Sequence, residues 1–512
     1  MSKSFSSGGF AGVRFASVRL AWPRASGAAA AWQCSSAGRV WQHGRRRAVE
    51  ATVLALLLSA CQSSPATRAV VPSFNVRNYG ATGSGKVNEQ RAIQAALDAC
   101  AGSGGGRVVL PPGDYYSGAL RLGSGVTLYL ERGATLWAST NRHDYTAGDG
   151  RHFLVALDAE CVTLSGPGVI HGQAVADYGE RWGVPDKPPF RSGILWFKNC
   201  RDVAVREVTI LNSDAWTLHF QRCENVTVED VTIRNNYRRL NSDGIDPNGC
   251  RNVRIARCRI VAGDDCIVLK STEPAPCENV TVTDCVLESA ASALKLGTES
   301  HGDFRNITFS RCVISNSPTG IGLYLKDGAT MEHIVFSDIV IQPCGLTNRA
   351  ITPVFVDIER RHADSRVGRI REVRFEGLDI TSDWGVLVQG MPESPIDRLT
   401  FRDVRFRVPQ GGDYSGRRKP VGGHRTTRDE RDTCFARLPS YFTVAHARDL
   451  RLENVRVEIA DAAFRRFPRS AFCGRFVERG SLLHVSRVPA ETPGAPPVLD
   501  LEACRGLTVR DF

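Results

Sequence analysis

Three aspartates have the residue type and spacing that acid–base chemistry requires. Asp243 lies in the segment NSDGID, residues 241–246, and the adjacent Asp264 and Asp265 lie in GDDC, residues 263–266. Three crowded carboxylates cannot all ionise easily, so repulsion raises the pKa of at least one towards the value that suits a proton donor. An ionised neighbour can then activate water. The pattern therefore predicts a catalytic carboxylate cluster, with calcium binding or simple turn capping as the alternatives.

A sequence repeat positions these aspartates. Segments with alternating apolar residues, such as NVTVEDVTI, recur first after 23 residues and then four times at intervals of 27. Such a period marks a solenoid, and alternation at period two over short spans indicates strands. The sequence therefore predicts an all-β fold, a single parallel β-helix, in which the aspartates lie close to one coil apart and converge on one surface. The segments begin at Asp202, Asn225, Asn252, Asn279, Asn306 and His333.

Two kinds of column support this register. Cysteines recur two residues before and six residues after the repeat starts, so they are expected to stack at about 4.8 Å, the spacing of neighbouring strands. Stacked buried thiols act as small apolar filler, and disulfides between coils or a metal cluster are the alternatives. Asparagines that open four repeats are expected to adopt the left-handed conformation and to bond their stacked neighbours. The cysteines are Cys200, Cys223, Cys250, Cys277, Cys258, Cys285 and Cys312, and the asparagines are Asn225, Asn252, Asn279 and Asn306.

The N-terminal region has the features of an export signal. The formal net charge is +11, but the first 60 residues hold eight basic side chains and one acidic side chain, so the rest gives no general case for nucleic-acid binding. Arg45 to Arg47 precede an apolar stretch, residues 48–60, which is too short for a stable bilayer-spanning anchor. The stretch ends in LLSAC, which resembles a bacterial lipobox and implies lipid attachment to Cys61. An ordinary signal peptide cleaved nearby is the alternative.

These features predict the organisation of the chain. We expect a leader with a lipoprotein-type signal peptide over residues 1–61, a linker over 62–72 and one β-helix catalytic domain over 73–512. The expected location is the bacterial outer membrane, facing the periplasm or the cell surface, and the lipid is the only expected membrane contact. We expect a monomer.

Other segments have recognisable roles in the solenoid. Ile93, Ala96, Leu97 and Cys100 have helical spacing, which predicts a short helix that caps the first coil. Residues 178–189, rich in proline, are expected to border a groove. Beyond residue 343 the intervals between strand-like segments lengthen, and we interpret the extra lengths as insertions, the largest being residues 409–432. These later segments begin at Glu372, Arg398, Asp449 and Gly506.

The order of four motifs resembles the polygalacturonase family, glycoside hydrolase family twenty-eight. The motifs are NSDGID at 241–246, GDDCI at 263–267, GTESHG at 297–302 and YLK at 324–326, and the similarity covers about residues 74–340. The resemblance implies a right-handed parallel β-helix that hydrolyses glycosidic bonds of pectic polysaccharides with inversion, without a cofactor or a metal. The first two motifs are the specific ones, and the last two depart from the family pattern.

The resemblance also implies roles for individual residues. By motif position, Asp264 would donate the proton, whereas Asp243 and Asp265 would orient and deprotonate the attacking water. Asn241, in the first motif, is expected to contact substrate. The coil register, rather than the resemblance, places Lys295 beside Lys326 on the adjacent coil, where it is expected to offer substrate a second cation.

The departures concern the histidine and the arginine of the family motifs. Ser292 stands where the histidine is expected, and His301 lies on the other side of the glycine, so it either reaches the site from the following loop or is a polar turn residue. Tyr324 and Lys326 occupy the arginine motif, and only the lysine is retained as a cation for substrate. Since lysine does not replace arginine in bidentate carboxylate binding, a rhamnogalacturonan or another branched acidic glycan competes with homogalacturonan as substrate.

The sequence therefore predicts an inverting glycoside hydrolase of pectic or acidic polysaccharide, similar to a polygalacturonase or a rhamnogalacturonan hydrolase. One alternative is a β-helix polysaccharide lyase, in which the aspartates hold calcium and a lysine or arginine abstracts a proton. The other is a non-catalytic glycan-binding solenoid.

Overall fold

The computed structural model describes residues 71–343, 352–412, 440–489 and 493–511. The predicted leader, nearly all of the predicted linker and most of the predicted insertion at 409–432 lie outside these ranges. The described strands pair in parallel from coil to coil, and the pairing divides the solenoid into three faces, called sheets 1, 2 and 3. The chain is a right-handed parallel β-helix, as the sequence predicted.

The strands of each sheet follow one another along the helix axis. Sheet 1 contains Ser73–Asn75, Gly106–Leu110, Val126–Leu130, Thr163–Ser165, Arg201–Arg206, Glu224–Glu229, Arg251–Ala256, Cys277–Thr283, Phe304–Ser310, Thr330–Ser337, Arg369–Glu376 and Arg505–Arg510. Sheet 2 contains Ser84–Asn88, Gly113–Ser117, Ala134–Ala138, Val169–His171, Thr209–Leu211, Thr232–Arg234, Arg259–Ala262, Val286–Ser289, Val313–Ser315, Val340–Gln342 and Asp379–Thr381. Sheet 3 contains Leu120–Arg121, His152–Leu157, Gly193–Lys198, Leu218–Gln221, Ile245–Asn248, Ile267–Ser271, Ser292–Ser300, Thr319–Leu325, Thr352–Ile358, Val386–Gln389 and Leu499–Glu502. Three long strands near the C-terminus bend from one sheet into another: Ile396–Val408, Phe442–Ile459 and Phe472–Val488.

The apolar positions of the repeat form the interior. In Glu224–Glu229, for example, Val226 and Val228 are buried while Thr227 between them is partly exposed. Equivalent phenylalanines of sheet 1 stack along the axis with ring centroids 4.8, 5.1 and 4.5 Å apart. Each buried ring removes roughly 150–250 Å² from water, so this column is a large part of the core. The stacked residues are Phe309, Phe336, Phe375 and Phe401.

The asparagine and cysteine columns have the predicted conformations. The asparagines have φ of 55–57°, and each Nδ2 donates to the Oδ1 of the preceding asparagine over 3.0–3.1 Å, in the pairs Asn252 to Asn225, Asn279 to Asn252 and Asn306 to Asn279. The seven cysteines of the two columns are all buried free thiols. They pack as small apolar filler, as predicted, and not as disulfides between coils.

Helices occur at the ends and in the connections of the described coils. The α-helix Gln90–Gly102, α1, buries Ile93, Ala96, Leu97 and Cys100 and packs on the first coil, which confirms the predicted cap. A second α-helix, α2, spans Asp461–Arg466, and short 3-10 helices span Val76–Tyr79, Arg142–Asp144 and Glu180–Trp182. Within the described ranges, neither α-helix has the length and apolar character needed to cross a membrane.

One part of the sequence interpretation was wrong. The interval between Asp449 and Gly506 is not an insertion in a single coil, because it holds the whole additional strand Phe472–Val488 together with α2. This strand pairs with Phe442–Ile459 on one side and with Arg505–Arg510 on the other. The solenoid therefore continues through the region that the sequence analysis treated as irregular.

Candidate active site

The three aspartates lie in consecutive turns that lead into sheet 3. Asp243 precedes Ile245–Asn248, and Asp264 and Asp265 precede Ile267–Ser271 on the next coil. Because Ile245 pairs with Ile267, Asp243 and Asp265 occupy equivalent positions on coils about 4.8 Å apart. The backbone N–H of Gly244 donates to the carbonyl of Asp265 over 2.9 Å and holds the two turns together. The structure thus brings the aspartates together as the repeat predicted.

Asp264 is the most accessible of the three. Its residue exposure is 9%, against 2% for both Asp243 and Asp265. The backbone N–H of Asn241 donates to Asp264 Oδ2 over 3.0 Å, which places Asn241 at the cluster. Gly263 allows this close packing, since a Cβ there would lie 2.2 Å from the carbonyl oxygen of Arg239.

A buried lysine that the sequence analysis did not identify lies among the carboxylates. Lys270 Nζ is 3.3 Å from Asp243 Oδ2, 3.5 Å from Asp246 Oδ1 and 4.0 Å from Glu299 Oε2. The same ammonium lies 4.2 Å from the ring centroid of Trp216. Lys270 follows three apolar residues in the strand IVLKS, and a charged residue within such a buried run was the signal that could have identified it.

Burial and crowding shift the protonation of this cluster. Desolvation, offset by Lys270 and reinforced by the charges of Asp264 and Asp265, raises the pKa of Asp243 to about 7. Desolvation and the neighbouring Asp243 also hold the pKa of Asp246 well above its usual range. Asp243 Oδ1 and both carboxylate oxygens of Asp246 have no hydrogen-bond partner among the described residues. Asp243 is therefore partly protonated near neutral pH.

Asp265 is held by a second buried lysine. Lys295 Nζ contacts Asp265 Oδ2 at 2.7 Å, and the backbone N–H of Ser292 donates to Asp265 Oδ1 over 3.1 Å. Lys295, expected as a substrate contact, thus reaches the cluster directly. Ser292, which stands where the family has histidine, contributes its backbone N–H.

Two of the residues that were expected to contact substrate, Tyr324 and Lys326, are buried in this structure. Tyr324 is 1% exposed and lies in the core, with its ring 5.0 Å from that of Phe355 and 5.2 Å from Lys295 Nζ. Lys326 is 4% exposed and forms an ion pair with Glu359, so a neighbouring carboxylate already compensates its charge.

His301, which was expected either to reach the site or to be a polar turn residue, lies beside the aspartate cluster rather than in it. Its side chain is 47% exposed, and the contact that it makes is to Asp327, at 3.9 Å, rather than to the aspartate cluster. Arg361 donates two hydrogen bonds of 2.7 and 2.8 Å to Asp327 and lies 3.8 Å from Glu299. His301 therefore belongs to a network that borders the cluster through Glu299.

A cavity of about 740 Å³ adjoins the cluster on the preceding coils. We call it the Trp216 cavity. The predicted border loop contributes Lys187, Pro188 and Pro189 to its wall. The other lining residues are Arg142, Tyr145, Asp149, Gly150, Arg151, His152, Phe190, Arg191, Gly193, Ala215, Trp216, His219 and Asn241.

His219, in the wall of this cavity, has an assignable tautomer. Asn248 Oδ1 accepts from the backbone N–H of Thr272 over 3.0 Å, so its Nδ2 faces His219 Nε2 at 3.3 Å as a donor. Desolvation lowers the pKa of His219 well below its usual value and keeps the ring neutral. Nε2 is thus the acceptor, and Nδ1 carries a hydrogen that has no acceptor among the described residues. An unpaired buried donor of this kind costs about 1–3 kcal/mol.

Among the described residues, no three histidine, cysteine, aspartate or glutamate side chains are arranged to hold a metal ion. The carboxylates that the sequence analysis considered as calcium ligands contact lysines instead, Asp243 with Lys270 and Asp265 with Lys295.

Comparison with known proteins identifies relatives over the same region. The "Probable polygalacturonase" of Vitis vinifera is 28% identical over 218 residues, which cover 39% of this chain and 44% of that protein. The exo-poly-alpha-D-galacturonosidase of Dickeya chrysanthemi is 46% identical over 79 residues, which cover 15% of this chain and 13% of that protein. The chain thus spans less than half the length of these curated relatives.

Solved structures share the fold. The exopolygalacturonase of Thermotoga maritima superposes with a TM-score of 0.58 at 24% identity, over 66% of this chain and 88% of that chain. The family 28 exopolygalacturonase of Yersinia enterocolitica gives 0.57 at 16% identity, over 85% and 78%. Residues 100–408, more than half of the 512, match the sequence profile of glycosyl hydrolases family 28. The aspartate cluster lies within the matched residues, and the chain belongs to this family.

Proposed function

We propose that the protein is an inverting glycoside hydrolase that cleaves pectic or related acidic polysaccharide. The observation that carries the proposal is the convergence of Asp243, Asp264 and Asp265, of which one has its pKa raised to about 7. Inverting hydrolysis requires an acid for the leaving oxygen and a carboxylate that activates water on the opposite side of the sugar ring. Asp243, with its pKa raised to about 7, is partly ionised at neutral pH and can take the proton of water, and Asp264, the most exposed of the three, is positioned to donate one.

The roles follow from accessibility and from charge pairing. Asp264, the most exposed of the three, donates a proton to the glycosidic oxygen as the bond to the anomeric carbon breaks. Water attacks the anomeric carbon from the opposite face, and Asp243 or Asp265 takes its proton. Lys270 and Lys295 keep the two buried carboxylates close together by offsetting their repulsion.

The charge pairs favour hydrolysis over calcium-dependent elimination. A lyase of the predicted kind needs aspartates open to calcium and a lysine free to remove a proton. Here Lys270 and Lys295 each donate to a carboxylate. Desolvation alone would lower the pKa of both lysines, but the charges of the neighbouring carboxylates outweigh it and raise the pKa of each. A lysine held in the protonated form is a poor base, whereas it is a good counter-charge for a carboxylate.

Product analysis tests this function. We would measure release of reducing ends from polygalacturonan, rhamnogalacturonan and a neutral polysaccharide, with and without a chelator. Release that needs no metal and is lost in Asp264→Asn but retained in Asp98→Asn is expected, because Asp98 is an exposed residue of α1 distant in sequence from the cluster. A chelator-sensitive rise in ultraviolet absorbance would identify a lyase, and glycan binding without cleavage would identify a binding solenoid.

The same set of polysaccharides also tests which polymer is the natural substrate. With Tyr324 and Lys326 both buried, the usual cationic motif does not present a carboxylate clamp here. Faster cleavage of rhamnogalacturonan than of polygalacturonan would identify a branched substrate, and the reverse ranking would identify homogalacturonan.

We also propose that the protein is exported as a lipoprotein anchored in the outer membrane and that it acts as a monomer. The support is the sequence alone: three arginines, an apolar stretch and LLSAC ending at Cys61. Metabolic labelling with palmitate in a Gram-negative host is expected to label the wild type and not Cys61→Ser. Labelling of both would refute the anchor, and sedimentation of the mature chain as a dimer would refute the monomer.

A further inference from the structure

One turn holds the residue proposed as proton donor at two points. The backbone N–H of Asn241 donates to Asp264 Oδ2 over 3.0 Å. The hydroxyl of Ser242 donates to the carbonyl of Arg239 over 2.8 Å and accepts from the backbone N–H of Gly263 over 3.2 Å. The segment from Arg239 to Ser242, which we call the Asn241 turn, therefore fixes both the carboxyl group of Asp264 and the backbone that precedes it.

A buried group of three charges anchors the Asn241 turn. Asp214 Oδ1 accepts from Arg239 Nε over 2.7 Å and from Arg191 Nε over 2.9 Å. Arg191 also donates to the carbonyl of Leu240 through Nη2 and to Asn241 Oδ1 through Nη1, the latter over 3.4 Å. One guanidinium thus joins Asp214 to two residues of the turn. We call Asp214, Arg191 and Arg239 the Asp214 triplet.

The repeat places Asp214 directly beside the Asn241 turn. Asp214 lies four residues before Leu218, Asn241 lies four residues before Ile245, and Leu218 pairs with Ile245. Asp214 and Asn241 therefore occupy equivalent positions on adjacent coils, at a spacing of about 4.8 Å. A charge at position 214 can act on the turn across this single step.

The triplet depends on the negative charge of Asp214. Arg191 and Arg239 are always protonated, and both donate to the same carboxylate oxygen. Asp214 is 7% exposed and Arg239 is 5% exposed, so water screens the repulsion between the two guanidinium groups only weakly. The change Asp214→Asn keeps the shape of the side chain but removes the charge. The arginines are then expected to separate, and the Asn241 turn is expected to lose its anchor.

The hydrogen bond from Asn241 also determines which oxygen of Asp264 gives up the proton. Oδ2 is the acceptor of this bond, so in the protonated acid the hydrogen is on Oδ1. In the proposed reaction the bond from Oδ1 to hydrogen breaks, the proton passes to the glycosidic oxygen, and the electron pair stays on the carboxylate. Hydrogen bonds to an ionised acceptor are about twice as strong as those to a neutral one. The bond from Asn241 therefore stabilises the transition state more than the bound substrate.

We propose that Asp214 is a positioning residue for the proton donor. Through Arg191 and Arg239 it holds the Asn241 turn, and the turn presents its backbone N–H to Asp264. The inference rests on the proposed hydrolase function, and it adds to that function the charge that keeps the acid in place.

Leaving groups of different acidity separate proton donation from the other steps. Asp214→Asn would be assayed on the polysaccharide that the wild type cleaves fastest, whose leaving group needs a proton. It would also be assayed on para-nitrophenyl α-galacturonide, whose leaving group departs as a phenolate without one. On the polysaccharide, kcat is expected to fall about tenfold while KM changes less than about twofold. On the nitrophenyl glycoside, kcat is expected to change less than about twofold.

Glu332→Gln is the matched control for this change. Glu332 is 7% exposed and accepts from Arg371 Nε over 2.6 Å, and Arg305 Nε lies 2.9 Å from it. It is therefore another buried carboxylate shared by two arginines, but it belongs to sheet 1, in the strand Thr330–Ser337. The control is expected to lower stability in urea and to leave both rates within about twofold of the wild type.

A second variant and a second measurement cover a fold that does not tolerate Asp214→Asn. Arg191→Gln removes one arm of the triplet, keeps the pair of Asp214 with Arg239, and is expected to lose activity on the polysaccharide selectively. Amide hydrogen exchange at Asn241 reports on the turn without any substrate. It is expected to be about tenfold or more faster in Asp214→Asn and Arg191→Gln, and unchanged in Glu332→Gln.

The outcomes distinguish this role from the hydrolase function. Equal losses of kcat on the polysaccharide and on the nitrophenyl glycoside would overturn the positioning role and leave the hydrolase standing. An unchanged exchange rate at Asn241 in both variants would do the same. No cleavage of any glycoside by the wild type would refute the hydrolase, and the positioning role with it.

Discussion

Replacement of Lys270 by methionine tests whether the carboxylate cluster is organised by one buried charge. Methionine keeps much of the volume of the side chain and removes the ammonium that contacts Asp243, Asp246 and Glu299. An opposite charge at such distances lowers a carboxyl pKa by about 1–3 units, so its removal raises the pKa of Asp243 from about 7 by a similar amount.

The effect on stability depends on pH in a defined direction. Asp243 has a folded-state pKa above its unfolded value, so its contribution to stability is complete below the unfolded pKa and is lost as the pH rises through about 7. For the wild type this loss amounts to about 4 kcal/mol, at 1.36 kcal/mol per unit. Lys270→Met extends the loss to higher pH and adds about 1–4 kcal/mol above the new pKa.

Urea unfolding at about pH 5 and about pH 9 measures this difference. At the lower pH Asp243 is protonated in both proteins, so the variant is expected to lose little stability, with a residual cost from the ionised Glu299. At the higher pH the loss is expected to be about 1–3 kcal/mol, because at about pH 9 the raised pKa of Asp243 costs at most about 1.36 kcal/mol for each pH unit above 7. Lys198→Met is the control, because Lys198 belongs to the same sheet, stacks on Trp196 and has no carboxylate partner among the described residues.

An equal loss of stability at both pH values would refute the reasoning. It would mean that Lys270 stabilises the fold by packing and that Asp243 does not titrate near neutrality.

Three further predictions concern the site and the scaffold. With Asp243 accepting a proton from water, kcat/KM is expected to fall as the pH decreases below about 7, and a limb that falls above 7 instead would make Asp243 the acid. Phe336→Ala is expected to cost about 3–5 kcal/mol in urea unfolding, because it removes the centre of a stacked column, and a loss below about 1 kcal/mol would contradict the packing. Asn279→Ala is expected to be less stable than Asn279→Gly, since glycine tolerates the φ of 57° and alanine does not, and the reverse order would contradict the turn argument.

The coil register could be predicted from sequence because its markers are backbone requirements. Asn225 and its equivalents mark a position that recurs in each coil and where the chain turns through the left-handed conformation. The coil of Phe472–Val488 was missed because Gly480 follows Arg479 at the position where the segment that begins at Arg398 has the apolar Leu399, so the apolar alternation is interrupted. Arg479 itself turns the chain with φ of 59° and is supported by two 2.8 Å hydrogen bonds to Asp449 instead of an asparagine ladder.

The positions of the aspartates could be predicted, because sequence motifs define the turns that hold them. The directions of side chains could not be predicted in strands that are buried on both sides. The aspartates lie in turns, so stacking alone brings them together. Every residue of Thr319–Leu325 is buried, so alternation could not show that Tyr324 points into the protein. Lys326 likewise has a buried partner, Glu359, on the next coil. This pair could not be predicted, because Glu359 lies beyond the part of the sequence in which the repeat is regular.

The lysine at position 270 shows how a ladder position acquires a function in this solenoid. Strand pairing places Lys198, Gln221, Asn248 and Lys270 in one column of sheet 3. Lys198 is partly exposed and stacks on Trp196, whereas Lys270 is 4% exposed and contacts carboxylates from two coils. The column position alone therefore does not determine the chemistry. The neighbouring acids do, because Asp243 and Asp246 on one coil and Glu299 on another lie beside the ammonium of Lys270, and an ammonium buried there is stable only while they remain. This mutual dependence predicts that Asp243→Asn and Lys270→Met are not additive, and that at about pH 9 the double variant is more stable than Lys270→Met alone.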